Sequence, residues 1–172
     1  MKSDITQWLQ EIAIDSLSQL GIKPGMKVLD FGAREGYNTL PVAKIVSSRG
    51  EVIAVDEDKK ALNNLKKKML EKSIDNVKII NNKGKADLDI QDNSLDFIIL
   101  FDVFHELKGS DNYLKEFQRV LKNEGTLSIF DPHLDDIKGM KNTVTSFNFV
   151  WDNTFKVELL HNYNLTTGEI NN

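Results

Sequence analysis

The chain has 172 residues, 28% of them charged, with a formal net charge of −4 and a pI near 5.4. This is the length of one ordinary domain, which can bury a core without disulfides or structural metal. The acidic balance disfavours a nucleic-acid-binding protein. The lack of cysteine excludes a disulfide framework, a thiolate metal site and a cysteine nucleophile.

The sequence also lacks the segments that direct a protein to a membrane or out of the cell. No apolar run approaches the roughly 20 residues of a membrane span. The N-terminus is polar and lacks the apolar core of a signal peptide. We therefore expect a cytoplasmic protein without a membrane span, either a monomer or a homodimer.

Along the chain, helical segments alternate with short apolar strands. A first helix contains Trp8 as a predicted packing anchor and ends at Gly21. The predicted strands are Met26–Phe31, Glu51–Asp56, Val77–Ile80, Leu95–Leu100 and Thr126–Phe130. The predicted helices between them are Tyr37–Val46, Asp58–Lys72 and Tyr113–Leu121, the last followed by a turn at Asn123–Gly125. This alternation predicts an α/β fold, a three-layer Rossmann-like sandwich with a mostly parallel, doubly wound sheet.

The C-terminal part is harder to interpret. Thr143–Val150 fits either a strand or the end of a helix that starts near Asp135, and Phe155–Leu160 reads as a late strand. We expect an antiparallel edge strand here and loose order over Asn164–Asn172. The whole chain, 1–172, is predicted to be one domain. It comprises an N-terminal helix (1–22), a ligand-binding core (23–134) and a shortened C-terminal part (135–172).

Ligands of such sheets bind at the carboxyl ends of the strands, so the residues that follow each strand are candidates. The loop from Asp30 to Gly36 follows the first strand, and its glycines allow a sharp turn and a close approach to a ligand. Asp56 ends the second strand. Its carboxylate suits two ribose hydroxyls, or it caps the next helix.

Two features of the first loop disfavour a nicotinamide-dependent oxidoreductase. Asp30 would repel a dinucleotide pyrophosphate but suits a cofactor with a cationic amino-acid moiety. The spacing Gly32-x-x-x-Gly36 does not match the dinucleotide pattern G-x-G-x-x-G.

Several segments, in the same order and spacing, resemble those of class I S-adenosylmethionine-dependent methyltransferases. The similarity is to the group that contains the ubiquinone and menaquinone C-methyltransferases (methyltransferase type 11), and it runs from Leu20 to His133. The matching segments are Val28–Gly36, Glu51–Asp56, Asp92–Leu100 with Phe104–Leu107, and Arg119–Leu127.

The resemblance implies S-adenosylmethionine as cofactor and assigns roles by position. The methionine part would be lined by Asp30, Gly32, Ala33 and Gly36. Asp56 would hold the ribose, with Glu57 beside it. Gly84, Lys85 and Ala86 fall where the family contacts adenine, and Phe101 would lie under the sulfonium-bearing chain. Asp102, Phe104 and His105 would face the acceptor.

The sequence departs from the family pattern at two positions. Arg34 stands where relatives usually have glycine, and a positive φ there costs about 1 kcal/mol or more. Alternatively, its guanidinium pairs with the methionine carboxylate of the cofactor. Gly84 replaces an acidic residue that holds the adenine amino group in many relatives. With the short tail, these departures support an alternative: a catalytically inactive cofactor-binding protein that acts through a partner.

We expect methyl transfer to an unidentified small-molecule acceptor. If the acceptor has a labile proton, His105 or Asp102 is the candidate base, although His105 equally fits a structural role. Asp131-Pro132-His133 is interpreted as a turn rather than a pocket edge. His105, Asp131 and His133 lack the spacing of a metal site, so we predict no metal.

Overall fold

The computed structural model describes residues 13–107, 109–134, 136–159 and 163–171, with side chains up to residue 150. The chain divides into two compact units, Met1–Asn81 and Asn82–Asn172. No helix among the described residues has the length and apolar character needed to cross a membrane. Trp8 lies outside the described residues.

The first unit is a parallel three-stranded sheet with helices between its strands. Strand β2 is central, with β1 on one side and β3 on the other, and Asp56 pairs with Asn81 at their carboxyl ends. The described part of helix α1 covers 13–19. The other elements are β1 (Lys27–Phe31), α2 (Thr39–Val46), β2 (Glu51–Asp56), α3 (Lys59–Glu71) and β3 (Val77–Asn81).

The sequence of helix α3 explains where it starts and which face it buries. Asp58 accepts hydrogen bonds from the backbone N–H groups of Lys60 (2.7 Å) and Ala61 (3.2 Å), which is an N-cap. Leu62 and Leu65, three residues apart, point inward. They pack in one cluster with other apolar side chains of this unit, namely Ala33, Leu40 and Ala54.

The second unit contains a parallel pair of strands and an antiparallel extension. Strand β4 pairs with β5 in parallel, β5 with β7 antiparallel, and β7 with β6 antiparallel. Helix α4 buries one face through Leu114, Phe117 and Val120 at helical spacing. The elements are β4 (Leu95–Phe101), α4 (Ser110–Val120), β5 (Leu121–Phe130), α5 (Ile137–Thr145), β6 (Val150–Leu159) and β7 (Tyr163–Asn171).

Strand β5 starts earlier than predicted. Leu95 pairs with Leu121, and Phe97 pairs with Thr126. An advance of two residues along β4 is therefore matched by an advance of five residues along β5. The predicted turn at Asn123–Gly125 lies in this register shift. A Cβ on Gly125 would lie 2.6 Å from the Leu121 side chain, which shows how tightly the chain folds back here.

The tail is more regular than the sequence suggested. Helix α5 ends at Thr145. Of the two alternatives for the segment that begins at Thr143, a strand or the end of a helix, the helix is therefore correct. The antiparallel edge is confirmed, but the expected loose order over Asn164–Asn172 is wrong for the described part. There β7 pairs with β5 over Thr126–Ile129 and satisfies backbone groups of that strand.

Candidate functional site

The loop after β1 is fixed to the end of β2 by backbone hydrogen bonds. The N–H groups of Gly32 and Ala33 both donate to the carbonyl of Val55, at 2.9 and 3.0 Å. The N–H of Gly36 donates to Ala33 (2.8 Å), which closes the turn. Gly32 and Gly36 have φ of 82° and 84°, a conformation that favours glycine.

Asp56 is held between two backbone donors at the end of β2. Its Oδ2 accepts from the N–H of Arg34 (2.7 Å) and its Oδ1 from the N–H of Asp58 (2.8 Å). Each carboxylate oxygen retains capacity for a further hydrogen bond. The alternative that Asp56 caps helix α3 is wrong, since Asp58 does so.

Arg34 has a φ of +47°. This left-handed conformation is the one expected from the glycine that relatives of the chain usually have at this position. A left-handed conformation costs a residue with a side chain roughly 1–2 kcal/mol. The residue is exposed, and in this conformation its backbone N–H donates to Asp56. The strain therefore accompanies the contact that fixes the Asp56 carboxylate.

Ala33 and Gly36 face the core of the first unit. Ala33 is buried in the cluster with Leu62 and Leu65. A Cβ on Gly36 would lie 2.4 Å from the Leu65 side chain, so only glycine lets the loop pack this closely on α3. Any contact of these two residues with a ligand would therefore be made by backbone atoms.

The carboxyl group of Asp30 is buried at the end of β1, with 1% of the residue exposed. The Thr39 hydroxyl donates to its Oδ2 at 2.5 Å. Burial raises the pKa of Asp30 to about 6, and the negative charge of Asp56 adds to the increase, although the Thr39 hydrogen bond opposes it. A cation placed near this loop would favour the ionised form.

In the second unit, the segment that holds Gly84, Lys85 and Ala86 is tied to helix α4. The Tyr113 hydroxyl donates to the Gly84 carbonyl at 3.0 Å. The side-chain amide of Asn82 donates to the Lys85 carbonyl at 2.8 Å, and the N–H of Lys85 returns a bond to the Asn82 carbonyl.

The continuation of this segment is fixed by Arg119 of helix α4. Its guanidinium donates to the carbonyls of Leu88 (3.1 Å) and Ile90 (2.9 Å) and pairs with Glu116 and Asp92. Glu116 in turn accepts from the N–H of Leu88 at 2.7 Å. One side chain thus contacts three residues of the segment 88–92, namely Leu88, Ile90 and Asp92.

Strand β4 ends at Phe101, and Asp102 turns the chain with φ of +55°. The N–H of Asp102 donates to the Phe130 carbonyl (2.7 Å), and the rings of Phe101 and Phe130 meet edge to face at 5.8 Å. Asp102 Oδ1 is buried without a hydrogen-bond partner among the described residues, 3.5 Å from His133 Nε2.

His105 lies beside Asp131, which follows β5. Nδ1 of the His105 ring is 2.9 Å from Oδ2 and 3.0 Å from Oδ1 of that carboxylate. The backbone N–H groups of His105 (2.9 Å) and His133 (3.0 Å) also donate to Asp131. The sequence interpretation of Asp131 as merely part of a turn therefore missed its main contact.

These groups also lie where a metal ion could be held. Asp102, His105 and Asp131 each offer a ligand atom, and those atoms lie within 4.8 Å of one another. Linear spacing had not suggested this grouping, because it depends on the pairing of β4 with β5. It is a different set from the one considered in the sequence, since Asp102 takes the place of His133.

Comparisons with known proteins agree with the sequence motifs. A family described as a methyltransferase domain matches residues 22–164. Over 112 residues the chain is 33% identical to the demethylmenaquinone methyltransferase of Staphylococcus aureus, covering 63% of this chain and 44% of that enzyme. Identity to the ubiquinone/menaquinone biosynthesis C-methyltransferase UbiE of Shewanella baltica is 31%, covering 64% and 44%. The chain thus covers less than half the length of these relatives.

The fold is also that of known methyltransferases. A crystal structure of a SAM-dependent methyltransferase from Aquifex aeolicus matches with a TM-score of 0.81 and 23% identity, covering 92% of this chain and 88% of that one. The predicted Rossmann-like α/β fold class is confirmed, as is the resemblance to class I methyltransferases.

Proposed function

Since the chain belongs to the methyltransferase domain family, we propose that it transfers a methyl group from S-adenosylmethionine to a small-molecule acceptor. The cofactor supplies a methyl group that is already activated, so the protein mainly binds and orients the reactants. The acceptor atom bonds to the methyl carbon with its own electron pair. The bond from that carbon to sulfur breaks, and its electron pair stays on sulfur.

The observation that carries this proposal is the arrangement around Asp56. Its two carboxylate oxygens are each fixed by one backbone N–H, from Arg34 and from Asp58. The remaining acceptor sites suit two adjacent hydroxyl groups, as on a ribose. Because Gly32 has no side chain, a ligand bound at Asp56 can approach the loop backbone closely. The residues present therefore fit the cofactor.

Asp30 supports the same proposal through its charge. Its carboxyl is buried and bonded to Thr39, so it would favour the cationic methionine part chiefly by its negative charge. Because burial raises the pKa of Asp30 to about 6, binding of that cation is expected to be coupled to loss of a proton from Asp30 near pH 6.

The other assignments stay predictions from the resemblance. They are a place beside the ribose for Glu57, adenine contacts for Gly84, Lys85 and Ala86, and a contact between Phe101 and the sulfonium-bearing chain. A single domain over 1–172, a cytoplasmic location and a monomeric or homodimeric state likewise stay predictions.

The test is calorimetric titration with S-adenosylhomocysteine, which has the same nucleoside and amino-acid parts as the cofactor. We expect wild type to bind in the micromolar range and Asp56→Ala to bind about 10- to 100-fold more weakly, as expected for hydrogen bonds to a charged group. Asp75→Ala, which removes another exposed carboxylate of the same unit, is the matched control and should bind like wild type.

Two other outcomes would contradict the proposal. Preferential binding of NADH would indicate an oxidoreductase, and no binding of S-adenosylhomocysteine by folded wild type would exclude the cofactor. Binding without methyl transfer to any acceptor would favour the alternative, a catalytically inactive cofactor-binding protein that acts through a partner.

A further inference from the structure

We propose that Asp131 is a positioning residue that holds His105 as a general base, and that the acceptor therefore carries a proton that must be removed during methyl transfer. This inference rests on the proposed function and names the chemical class of its substrate. It assigns a role to Asp131, which the sequence had indicated only as part of a turn.

The geometry fixes one tautomer of the His105 ring. The Asp131 side chain is fully buried, and it accepts N–H groups from the backbone of His105 and His133. An ionised carboxylate can only accept hydrogen bonds, so the contact with the ring requires a proton on Nδ1 of His105. The other ring nitrogen, Nε2, then carries the lone pair.

Nε2 of His105 is available to a substrate. Oε1 of Glu106 lies 3.7 Å from this nitrogen, which is beyond hydrogen-bond distance. The His105 side chain is 30% exposed, although its other nitrogen faces the buried carboxylate. A ring that is anchored on one side and open on the other has the form of a positioned general base.

The surrounding charges favour the proton-accepting step. Asp131 faces the ring from the segment after β5, and Asp102 and Glu106 from the segment after β4, while the His133 ring lies 5.0 Å away between centroids. The hydrogen bond to Asp131, followed by these carboxylates, raises the pKa of His105. Burial alone would raise the pKa of Asp131, but its three N–H donors hold it below the usual value.

A metal ion is the competing use of the same groups. It would require Asp131 and His105 to share the ion instead of a proton. The distances of 2.9 and 3.0 Å between Nδ1 and the carboxylate are those of a hydrogen bond, and both oxygens already accept backbone N–H groups. The geometry therefore favours the proton.

The proposed step is balanced within the reacting groups. The bond between the acceptor atom and its proton breaks, and the proton moves to Nε2 of His105. The freed electron pair forms the bond to the methyl carbon. Acceptors of this class include phenols, other acidic hydroxyls and carbon acids, whereas tertiary amines and thioethers, which have no proton to lose, are excluded.

The first experiment determines the tautomer directly. The sequence has three histidines, so long-range ¹H–¹⁵N NMR spectra of histidine-labelled protein can be assigned with single variants. We expect a proton on Nδ1 of His105 in wild type. Asp131→Asn should change this pattern and lower the pKa of His105, whereas Asp89→Asn, an exposed carboxylate of the same unit, should change neither.

The second experiment measures methyl transfer, followed as formation of S-adenosylhomocysteine. The probe acceptors are 1,4-dihydroxynaphthalene and catechol, which carry a removable proton, and nicotinamide, whose ring nitrogen does not. We expect turnover with the first class only, with a rate that rises with pH through the His105 titration. Asp131→Asn should lower kcat by about 10²- to 10⁴-fold, with the KM for S-adenosylmethionine unchanged.

Several results would overturn the inference while leaving the proposed function intact, provided that wild type binds S-adenosylhomocysteine. They are a proton on Nε2 of His105, turnover with nicotinamide alone, and an Asp131→Asn variant with wild-type kcat and pH profile. Turnover that requires added Mn²⁺ or Zn²⁺ and is abolished by EDTA would assign the cluster to a metal instead.

Discussion

The side chains of Asp30 at the end of β1 and of Asp131 after β5 are both buried, yet the pKa values of their carboxyl groups shift in opposite directions. Burial raises the pKa of Asp30 to about 6, and hydrogen bonds from the hydroxyl and the backbone of Thr39 oppose that shift. Burial acts on Asp131 in the same sense, but its backbone and imidazole donors outweigh it and lower the pKa. The number of N–H donors, rather than depth alone, decides the charge of a buried carboxyl.

The two carboxyl groups also belong to different kinds of site. In the second unit the chain itself supplies the donors, including the His105 ring, so the charge of Asp131 is compensated without a ligand. For Asp30 in the first unit, the described groups that act on its pKa besides burial are Thr39, which lowers it, and the like charge of Asp56, which raises it. Its ionised form is thus compensated only in part by the chain itself.

The largest expected effect is the change in stability of Asp30→Asn. The folded pKa, about 6, lies above the ordinary value of 3.8, so this group contributes stability below pH 3.8 that is lost as pH rises through 6. The difference between these two pKa values corresponds to about 3 kcal/mol. At pH 8 the unfolding free energy of Asp30→Asn, measured in urea, should therefore exceed that of wild type by up to that amount. At pH 4 the two free energies should converge.

Thr39→Val provides the control for this prediction. It removes the donor that lowers the pKa of Asp30 and should destabilise the protein at pH 8 by about 1 kcal/mol, with less effect at pH 4. If the Asp30→Asn and wild-type stabilities ran parallel from pH 4 to pH 8, Asp30 would be ionised throughout and the contrast with Asp131 would be lost.

Asp131→Asn should act in the opposite sense and somewhat more weakly. Because its folded pKa is lowered, Asp131 contributes stability above pH 3.8 that is lost as pH falls through the folded value. The raised pKa of His105 contributes stability below pH 6.5 that is lost at higher pH. We expect a loss of about 2 kcal/mol in unfolding free energy near pH 5, where both contributions are present. A stabilised variant at that pH would contradict the comparison.

The smallest expected effect concerns the turns that follow β1 and β4. Arg34 and Asp102 both have positive φ, +47° and +55°, but aspartate tolerates this region better than arginine. Arg34→Gly should raise the unfolding free energy by about 0.5 kcal/mol, since relief of strain is partly offset by the backbone entropy of glycine. Asp102→Gly should bring no gain. Equal thermal shifts for the two variants would show that side-chain type does not matter there.

The elements of the first unit were predictable because each is specified locally. The strands around Val28 and Val52 are short apolar runs, and the loop at Gly32 follows directly. The N-cap of helix α3, in contrast, could not be assigned from the sequence. Asp56 and Asp58 both precede helix α3, and only the structure shows that Asp58 caps it while Asp56 accepts from Arg34.

The second unit was less predictable because its contacts span longer separations. His105 and Asp131 are 26 residues apart and meet only through the pairing of β4 with β5. Strand β7 has no strong apolar alternation and is specified by the edge of β5. The assigned cofactor and acceptor residues stay predictions, because the resemblance supplies their roles and the fold supplies only their positions.

Arg119 has a consequence for how the second unit opens. A single guanidinium holds the carbonyls of Leu88 and Ile90 together with Glu116 and Asp92. Residues 88–92 cannot detach one bond at a time while this side chain stays in place. Amide hydrogen exchange at Leu88 and in the last turns of helix α4 should therefore occur in one cooperative event, with a common free energy of opening.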